Sequence, residues 1–239
     1  MTVSRLEWAT PSALPELHPS DVHVWRVDPD LAACSPALSQ VLSPDEQERT
    51  RRFRFDRDRN LFIAARGCLR HLLGHCLEQS PRDIVFQYNS HGRPHLAHSD
   101  MQFNITHTEG MALVALTRGR RLGIDIERRD RSVNVMEIGK RFFSPREYEA
   151  LCEAPDPLQA FLCCWTRKEA FVKALGGGLS IPLDRFHVSL DDPPHILDIE
   201  WAPETVGEWR LESLPVDGEF VAALAVSPPE FNLHTFQWG

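Results

Sequence analysis

Two short segments, one in each half of the 239-residue chain, carry the same helix-start chemistry. Residues 43–46 read Ser-Pro-Asp-Glu, and residues 144–147 read Ser-Pro-Arg-Glu. A serine side chain can accept a hydrogen bond from the unpaired N–H groups of a first helical turn, and proline suits the first helical position. Acidic residues in that turn complement the helix dipole. Each segment therefore predicts the start of a capped helix.

A similar series of elements surrounds each helix start. Apolar residues at three- and four-residue steps predict long helices over residues 61–76 and 157–175, with a shorter helix over 135–142. Strands are predicted at 22–27, 84–88, 102–106, 111–117, 122–127, 186–190, 208–213 and 220–226. The repeated order predicts an α+β fold with two duplicated α+β halves, residues 1–118 and 119–239. The active site is expected in the cleft between the halves.

The composition predicts a cytoplasmic protein with no membrane segment. The longest apolar runs, residues 111–116 and 220–226, have the length of strands, whereas a membrane helix needs about 20 apolar residues. Residues 1–20 lack the basic segment and apolar core of a secretory signal. The six cysteines form no CxxC pair and no metal-type spacing with histidine, so they are predicted to be buried free thiols.

The charge distribution argues against nucleic-acid binding, because the formal net charge is −8. Residues 48–59 are nevertheless rich in arginine. Two interpretations stay open for this segment: a patch for a specific polyanionic ligand, or a solvated helix face whose arginines pair with its own aspartates.

Two carboxylates alternate with apolar residues in GIDIE, residues 123–127. On a strand Asp125 and Glu127 point to one side, roughly 7 Å apart, while Ile124 and Ile126 face the core. Such a pair can share a hard cation such as Mg²⁺. The alternative is an exposed strand face whose acids meet the following arginines.

The segment WTRKEAFVKALGGGL, residues 165–179, places Glu169 and Lys173 one helical turn apart with Lys168 beside them. An ordinary stabilising ion pair on a helix, closed by a glycine cap, explains this pattern as well as a catalytic edge does. A Walker-type phosphate loop is excluded, since its glycines precede the helix. His107, at the end of a predicted strand, is either a polar terminus or a phosphate ligand.

Five motifs in order carry a family resemblance: GRPHL (92–96), FNITHTEG (103–110), GIDIE (123–127), FFSPREYEAL (142–151) and WTRKEAFVKALGGGL (165–179). Together they resemble the Sfp-type 4′-phosphopantetheinyl transferases. The resemblance implies transfer of the 4′-phosphopantetheine arm of coenzyme A to a serine of an acyl, peptidyl or aryl carrier protein, with release of adenosine 3′,5′-bisphosphate. It also implies a pseudo-twofold monomer of two α+β halves.

The resemblance implies roles for the acids and lysines. Asp125, Glu127 and Glu169 match the family's Mg²⁺ ligands, with Mn²⁺ as an alternative ion. Lys168 and Lys173 match lysines near the pyrophosphate. Glu169, directly or through a bound water, is the candidate base for the serine proton, and Lys173 is the candidate to protonate or stabilise the leaving phosphate.

Coenzyme A contacts are implied in the first half. Arg49 and His107 match positions at the 3′-phosphate, and Arg93 matches the motif that lines the adenine and phosphate side. Thr106 replaces the commoner serine and keeps its hydroxyl.

The chain departs from the family pattern near that phosphate. Glu46 falls where some relatives carry a lysine, which either weakens the contact with the 3′-phosphate or shifts it to Arg52. Phe62 replaces a smaller polar residue, which leaves the phosphate contacts of Arg59 and Arg66 open.

Two other functions compete with the transferase. One is a coenzyme A or nucleotide-binding regulator that keeps the fold and has lost catalysis. Such a regulator would be expected to lack a carboxylate or lysine of the motifs, and this chain lacks none of them. The other is a Mg²⁺-dependent phosphohydrolase, which would need no carrier protein.

Overall fold

The computed structural model describes residues 7–31, 35–130 and 133–239. The elements, in chain order, are β1 Asp21–Val27, α1 Pro36–Gln40, α2 Pro44–Arg51, α3 Asp56–Cys76, β2 Gln87–Tyr88, β3 Pro94–His95, β4 Met101–Thr108, β5 Met111–Arg118, β6 Arg121–Arg128, α4 Val135–Phe142, α5 Pro145–Glu153, α6 Pro157–Leu175, β7 Phe186–Val188, β8 Ile196–Ile199, β9 Arg210–Ser213, β10 Phe220–Ser227 and β11 Asn232–Gln237. Single 3₁₀ turns lie at Pro81–Asp83, Gly178–Ser180, Leu183–Arg185 and Pro203–Glu208.

The chain forms two compact units, each of mixed α+β structure as the sequence predicts. The first comprises Met1–Gly119 together with Asn232–Gly239, and the second comprises Arg120–Phe231. The last residues of the chain thus belong to the first unit, whereas the sequence predicts a second half that runs to residue 239. The physical reason is β11, which pairs with β1 in parallel over six residues of each strand.

The first unit packs helix α3 on a four-stranded sheet of order β11-β1-β5-β4. Strands β4 and β5 form an antiparallel pair, and β1 pairs antiparallel with β5. Leu69 and Leu73 of α3 are fully buried in one apolar core with Trp25 of β1 and Val114 of β5.

The second unit packs helix α6 on a three-stranded antiparallel sheet of order β6-β10-β9. Its core mixes aliphatic side chains with aromatic rings, among which Phe171 lies tilted against Phe186 and edge-on to Trp209.

Both predicted helix starts form complete capping boxes. The side chain of Ser43 caps α2 and that of Ser144 caps α5, while Glu46 and Glu147 each return a side-chain contact to the serine N–H. Helix α6 spans the predicted residues 157–175 and ends at Gly176, whose φ of 76° requires glycine-like freedom.

The differences from the predicted strands are local. The strand predicted at 84–88 is reduced to Gln87–Tyr88, because Pro81–Asp83 forms a 3₁₀ turn and Ile84 enters the core. The strand predicted at 208–213 starts at Arg210, since Pro203–Glu208 is also a 3₁₀ turn. Strands β3, β8 and β11 were not predicted.

The cysteines in the described part of the chain are free thiols, as expected. Cys68 and Cys164 are fully buried, but Cys152 is exposed, which corrects the prediction that it is buried. Cys34 lies outside the described residues. In the ranges described, every helix is too short or too polar to cross a membrane.

Candidate active site

The close approach of strand β6 to helix α6 builds the site in the second unit. A Cβ atom at Gly123 would lie 2.0 Å from the carbonyl oxygen of Ala170 and 2.4 Å from the nitrogen of Ala174. Glycine is therefore required here, since any side chain would push the helix off the strand. This contact was missed in the sequence, where Gly123 signals it only as a glycine inside a strand.

The acids of β6 lie on the face against which α6 packs, because side chains two residues apart on a strand share one face. Asp125 is 5% exposed and Glu127 is 7% exposed. Ile124 and Ile126 are buried on the opposite face. The isoleucines are buried as the alternation predicts, and the acids are nearly as buried, so the alternative of an exposed acidic strand face is wrong.

Lys173 of α6 is held by β6. Its Nζ donates to Asp125 Oδ1 at 2.6 Å and to the carbonyl oxygen of Ile124 at 3.1 Å. The side chain remains 27% exposed, unlike that of the fully buried Lys168. The ion pair therefore ties α6 to β6, and Lys173 is more than an ordinary partner of Glu169 along the helix.

Glu169 lies half-buried near both groups. Burial raises the pKa of its carboxyl most, the negative charge of Asp125 raises it further, and the Lys173 ammonium lowers it. A carboxyl with such a raised pKa suits a base that works near neutral pH.

The acids fit a hard cation by their chemistry. Asp125, Glu127 and Glu169 offer only carboxylate oxygens, the ligands that Mg²⁺ prefers, and a cation would relieve the repulsion that raises the pKa of Glu169. These three carboxylates do not form a tight cluster. Among the described residues, a different group of three has ligand atoms that all lie within 4.8 Å of one another: Asp21, His23 and His234.

Lys168 has a position unlike that of Lys173. It is fully buried, and its Nζ donates to the carbonyl oxygens of Leu183 and Phe186, each at 2.6 Å, and lies 2.8 Å from Glu147 Oε1. These three acceptors use the three donors of an ammonium group. The structure therefore corrects the predicted pyrophosphate role of Lys168: it fastens α6 to the segment around β7.

The sequence indicates Glu147 only as a helix-cap residue, but the structure gives its carboxylate further contacts. One carboxylate oxygen accepts from the Ser144 N–H at 2.9 Å, and the other accepts from the Val188 N–H at 2.8 Å beside Lys168. Its carboxylate thus joins α5, α6 and β7.

A cavity in the first unit gathers several predicted phosphate ligands. Its volume is about 180 Å³, and its lining comprises Arg49, Phe62, Ala65, Arg66, Pro94, Phe103, Asn104, Ile105 and His107. The Arg49 guanidinium lies over the Phe62 ring at 4.8 Å, which holds the cation at the cavity wall. Burial lowers the pKa of Arg66, although Glu46 opposes the shift. A small cavity with cationic walls suits an anionic group.

Glu46 supports this cavity from the interior. Its carboxylate lies 3.4 Å from Arg66 Nε and 2.6 Å from Arg70 Nε, and all three side chains are buried. Arg70 also donates to the carbonyl oxygens of Pro81 and Ile84. Glu46 therefore lies between two buried arginines and offsets part of their positive charge.

The remaining predicted ligands lie outside this lining. Arg52 is largely exposed and pairs with Glu48 at 3.5 Å. This contact favours a solvated, ion-paired role for Arg52 over the predicted phosphate contact. Arg93 is half-buried next to the lining residue Pro94, and burial lowers its pKa. Thr106 is buried in β4, opposite Leu113 of β5.

A buried acidic strand packed against a helix with a lysine and a carboxyl of raised pKa, together with a cationic cavity, fits the class of enzymes that transfer phosphate-containing groups. Two family models match: the model for 4'-phosphopantetheinyl transferase, N-terminal, over residues 28–118, and the model for the 4'-phosphopantetheinyl transferase superfamily over residues 121–225. The chain belongs to the 4′-phosphopantetheinyl transferase family, which confirms the resemblance found in the sequence.

Individual relatives agree with the family models. Over 214 residues the chain is 37% identical to the 4'-phosphopantetheinyl transferase HetI of Nostoc sp. strain PCC 7120, covering 87% of this chain and 88% of the relative. It is 34% identical over 198 residues to a 4'-phosphopantetheinyl transferase of Bacillus subtilis, covering 81% and 86%. Identity to the 4'-phosphopantetheinyl transferase Sfp of Bacillus subtilis strain 168 is 30% over 193 residues, covering 80% and 84%.

Proposed function

We propose that the chain, as a 4′-phosphopantetheinyl transferase, moves the phosphopantetheine arm of coenzyme A onto a serine hydroxyl of an apo carrier protein. The observation that carries this proposal is the cluster of Asp125, Lys173 and Glu169, in which a lysine is fixed by an acid beside a carboxyl of raised pKa. The serine oxygen forms a bond to the β-phosphorus of coenzyme A, and the bond to the bridging oxygen breaks. Adenosine 3′,5′-bisphosphate leaves.

The acids of the second unit are proposed as the ligands of Mg²⁺. Asp125, Glu127 and Glu169 would hold the ion, which when bound neutralises charge on the pyrophosphate. Support comes from the donor set, which is entirely carboxylate, and from the electrostatic repulsion between Asp125 and Glu169.

The protein side chains account for the proton and the leaving group. Glu169 takes the serine proton on a carboxylate oxygen, since its raised pKa makes it a stronger base than an ordinary glutamate. Lys173 turns its ammonium to the leaving phosphate and stabilises the charge that develops there. In the first unit, Arg49, Arg66 and His107 are proposed to bind the 3′-phosphate of coenzyme A, and Arg93 its adenine side.

The test is a transfer assay with the full chain, Mg²⁺, coenzyme A and several apo carrier proteins. We expect mass spectrometry to find the phosphopantetheine arm on the carrier serine, and Glu169→Gln to abolish this gain while coenzyme A binding persists. Coenzyme A cleavage without any carrier would instead indicate a phosphohydrolase. Binding of coenzyme A with neither transfer nor cleavage would indicate a regulator. A monomeric state and a cytoplasmic location remain predictions.

A further inference from the structure

Three metal-type ligands meet in the first unit, away from the residues used above. Ligand atoms of Asp21, His23 and His234 all lie within 4.8 Å of one another. His234 Nε2 lies 3.6 Å from Asp21 Oδ1. Asp21 and His23 are each 5% exposed, and His234 is exposed. The three ligands therefore form a group that is buried at Asp21 and His23 and open to solvent at His234.

The sheet topology produces this meeting. Asp21 and His23 are two residues apart on β1 and so share one face of the sheet. Strand β11 pairs in parallel with β1, in a register that sets Asn232 opposite Asp21 and His234 opposite His23. Two neighbouring strands thus present three metal-type ligands on one face, although the two strands are more than two hundred residues apart in the sequence.

A supporting shell orients these ligands. Asn232 Nδ2 donates to Asp21 Oδ1 at 3.1 Å, and the carbonyl oxygen of Asp21 accepts from the Thr117 hydroxyl at 2.9 Å. The His23 ring packs edge-on against the rings of His234 and Phe236. The Asn232 amide thus holds one carboxylate oxygen of Asp21, and hydrogen bonds of this kind to ligating carboxylates are typical of metal sites.

The ligand chemistry selects the kind of ion. Two imidazoles and one carboxylate suit Zn²⁺ and similar transition metals, whereas Mg²⁺ prefers oxygen ligands alone.

We propose that Asp21, His23 and His234 bind one divalent transition-metal ion of the zinc class, which fastens β11 to β1. Metal–ligand distances of about 2.0–2.2 Å require the three ligand atoms to draw closer than they lie here. The exposed His234 ring can move to do so. Solvent supplies the fourth position of a tetrahedral ion on the open side.

The proposed ion has a structural purpose. Strand β11 returns to the first unit only after the whole of Arg120–Phe231, and it lies at the edge of its sheet. An ion that binds only the paired strands stabilises the folded state by mass action. The site therefore acts as a clamp on the last strand, separate from the proposed transfer chemistry.

The experiment titrates Zn²⁺ into the chelator-treated full chain, with Mg²⁺ in excess to occupy the carboxylate site. Calorimetry should find one zinc ion per chain, and zinc should raise the Tm. His234→Ala changes an exposed side chain and should weaken binding at least about tenfold and remove the rise in Tm. Asp21→Asn should weaken binding likewise. His75→Ala, which removes an exposed histidine of α3 in the same unit, is the matched control and should bind as the unaltered chain does.

Cobalt supplies an independent readout, since a four-coordinate Co²⁺ ion with imidazole ligands gives visible absorption that His234→Ala should lose. The proposal is overturned if the unaltered chain binds no zinc. It is equally overturned if His234→Ala and the unaltered chain bind zinc with the same affinity. Carrier-protein transfer with Mg²⁺ should be the same in His234→Ala and His75→Ala, so failure of the clamp and failure of the proposed function are distinguishable.

Discussion

Lys173 Nζ lies 2.6 Å from Asp125 Oδ1, which ties the last turn of α6 to the middle of β6. Lys168, on the same helix and in the same motif, is instead fully buried on Glu147 and two carbonyl oxygens. Two lysines that look alike in the sequence therefore have different surroundings. Lys173 is partly exposed and pairs with an acid of the neighbouring strand, whereas Lys168 is buried and fastens the helix to the segment around β7.

Substitution of the two lysines by methionine should separate these roles. Lys168→Met leaves Glu147 buried without its cation, which should lower the free energy of unfolding by about 3–5 kcal/mol. Lys173→Met should cost less stability, since that ion pair is partly exposed, but should lower kcat by about 10²–10³. Urea unfolding and the carrier-protein assay measure the two effects. Equal unfolding in both variants, with unchanged kcat in Lys173→Met, would contradict the assignment.

Gly123 should tolerate no side chain. Gly123→Ala places a methyl group 2.0 Å from the Ala170 carbonyl oxygen, so strand and helix must separate, at a cost of at least about 1–3 kcal/mol. Gly207→Ala is the matched control in the same unit, because a Cβ there meets nothing within 4 Å. The midpoints of urea unfolding compare the two variants. Similar midpoints would mean that the strand and helix are not in close contact.

The acid limb of the pH–rate profile should report Glu169. Because burial raises the pKa of Glu169, transfer should fall as pH drops through a value above the usual one of about 4.3 for glutamate, and more Mg²⁺ should lower that value by offsetting the charge of Asp125. Enzyme kinetics over pH 4–9 at fixed Mg²⁺ should show this limb in the unaltered chain. A Glu169→Asp variant should keep measurable transfer activity, and the midpoint of its acid limb should lie at a different pH. An unchanged midpoint would exclude Glu169 as the base.

The same shift has a consequence for stability. A carboxyl whose folded pKa lies above its unfolded pKa binds more protons in the folded state, so its contribution to stability falls as pH rises through the two values. In metal-free protein, Glu169→Gln should therefore raise the Tm at pH 7 relative to the unaltered chain, and do so less at pH 4. Thermal unfolding with a chelator present measures the difference.

Arg49 should recognise the 3′-phosphate of coenzyme A. Arg49→Ala removes a cation from the wall of the cavity, and loss of a charged hydrogen bond of about 1.5–3 kcal/mol should raise KM for coenzyme A more than tenfold. The preference for coenzyme A over its 3′-dephospho form should decrease with it. Arg52→Ala is the control, since Arg52 is exposed, pairs with Glu48 and does not line the cavity. If Arg52→Ala costs as much as Arg49→Ala, the phosphate lies elsewhere.

Much of the fold follows from local sequence. Ser43 and Ser144 predict their helices because a cap needs only the residues of the first turn, and the apolar periods of α3 and α6 need only their own helix. The ordered motifs likewise led to the family, which the comparisons confirm.

The tertiary structure decided what depends on distant partners. Sequence spacing treats Lys168 and Lys173 alike, and only packing against β6 and β7 distinguishes them. The tight contact at Gly123 depends on a helix far along the chain. Strand β11 joins β1 by parallel backbone pairing, which brings His234 to His23, and no local pattern encodes that register. Periodicity and caps are properties of neighbouring residues, whereas burial and charge pairing arise only when distant segments meet.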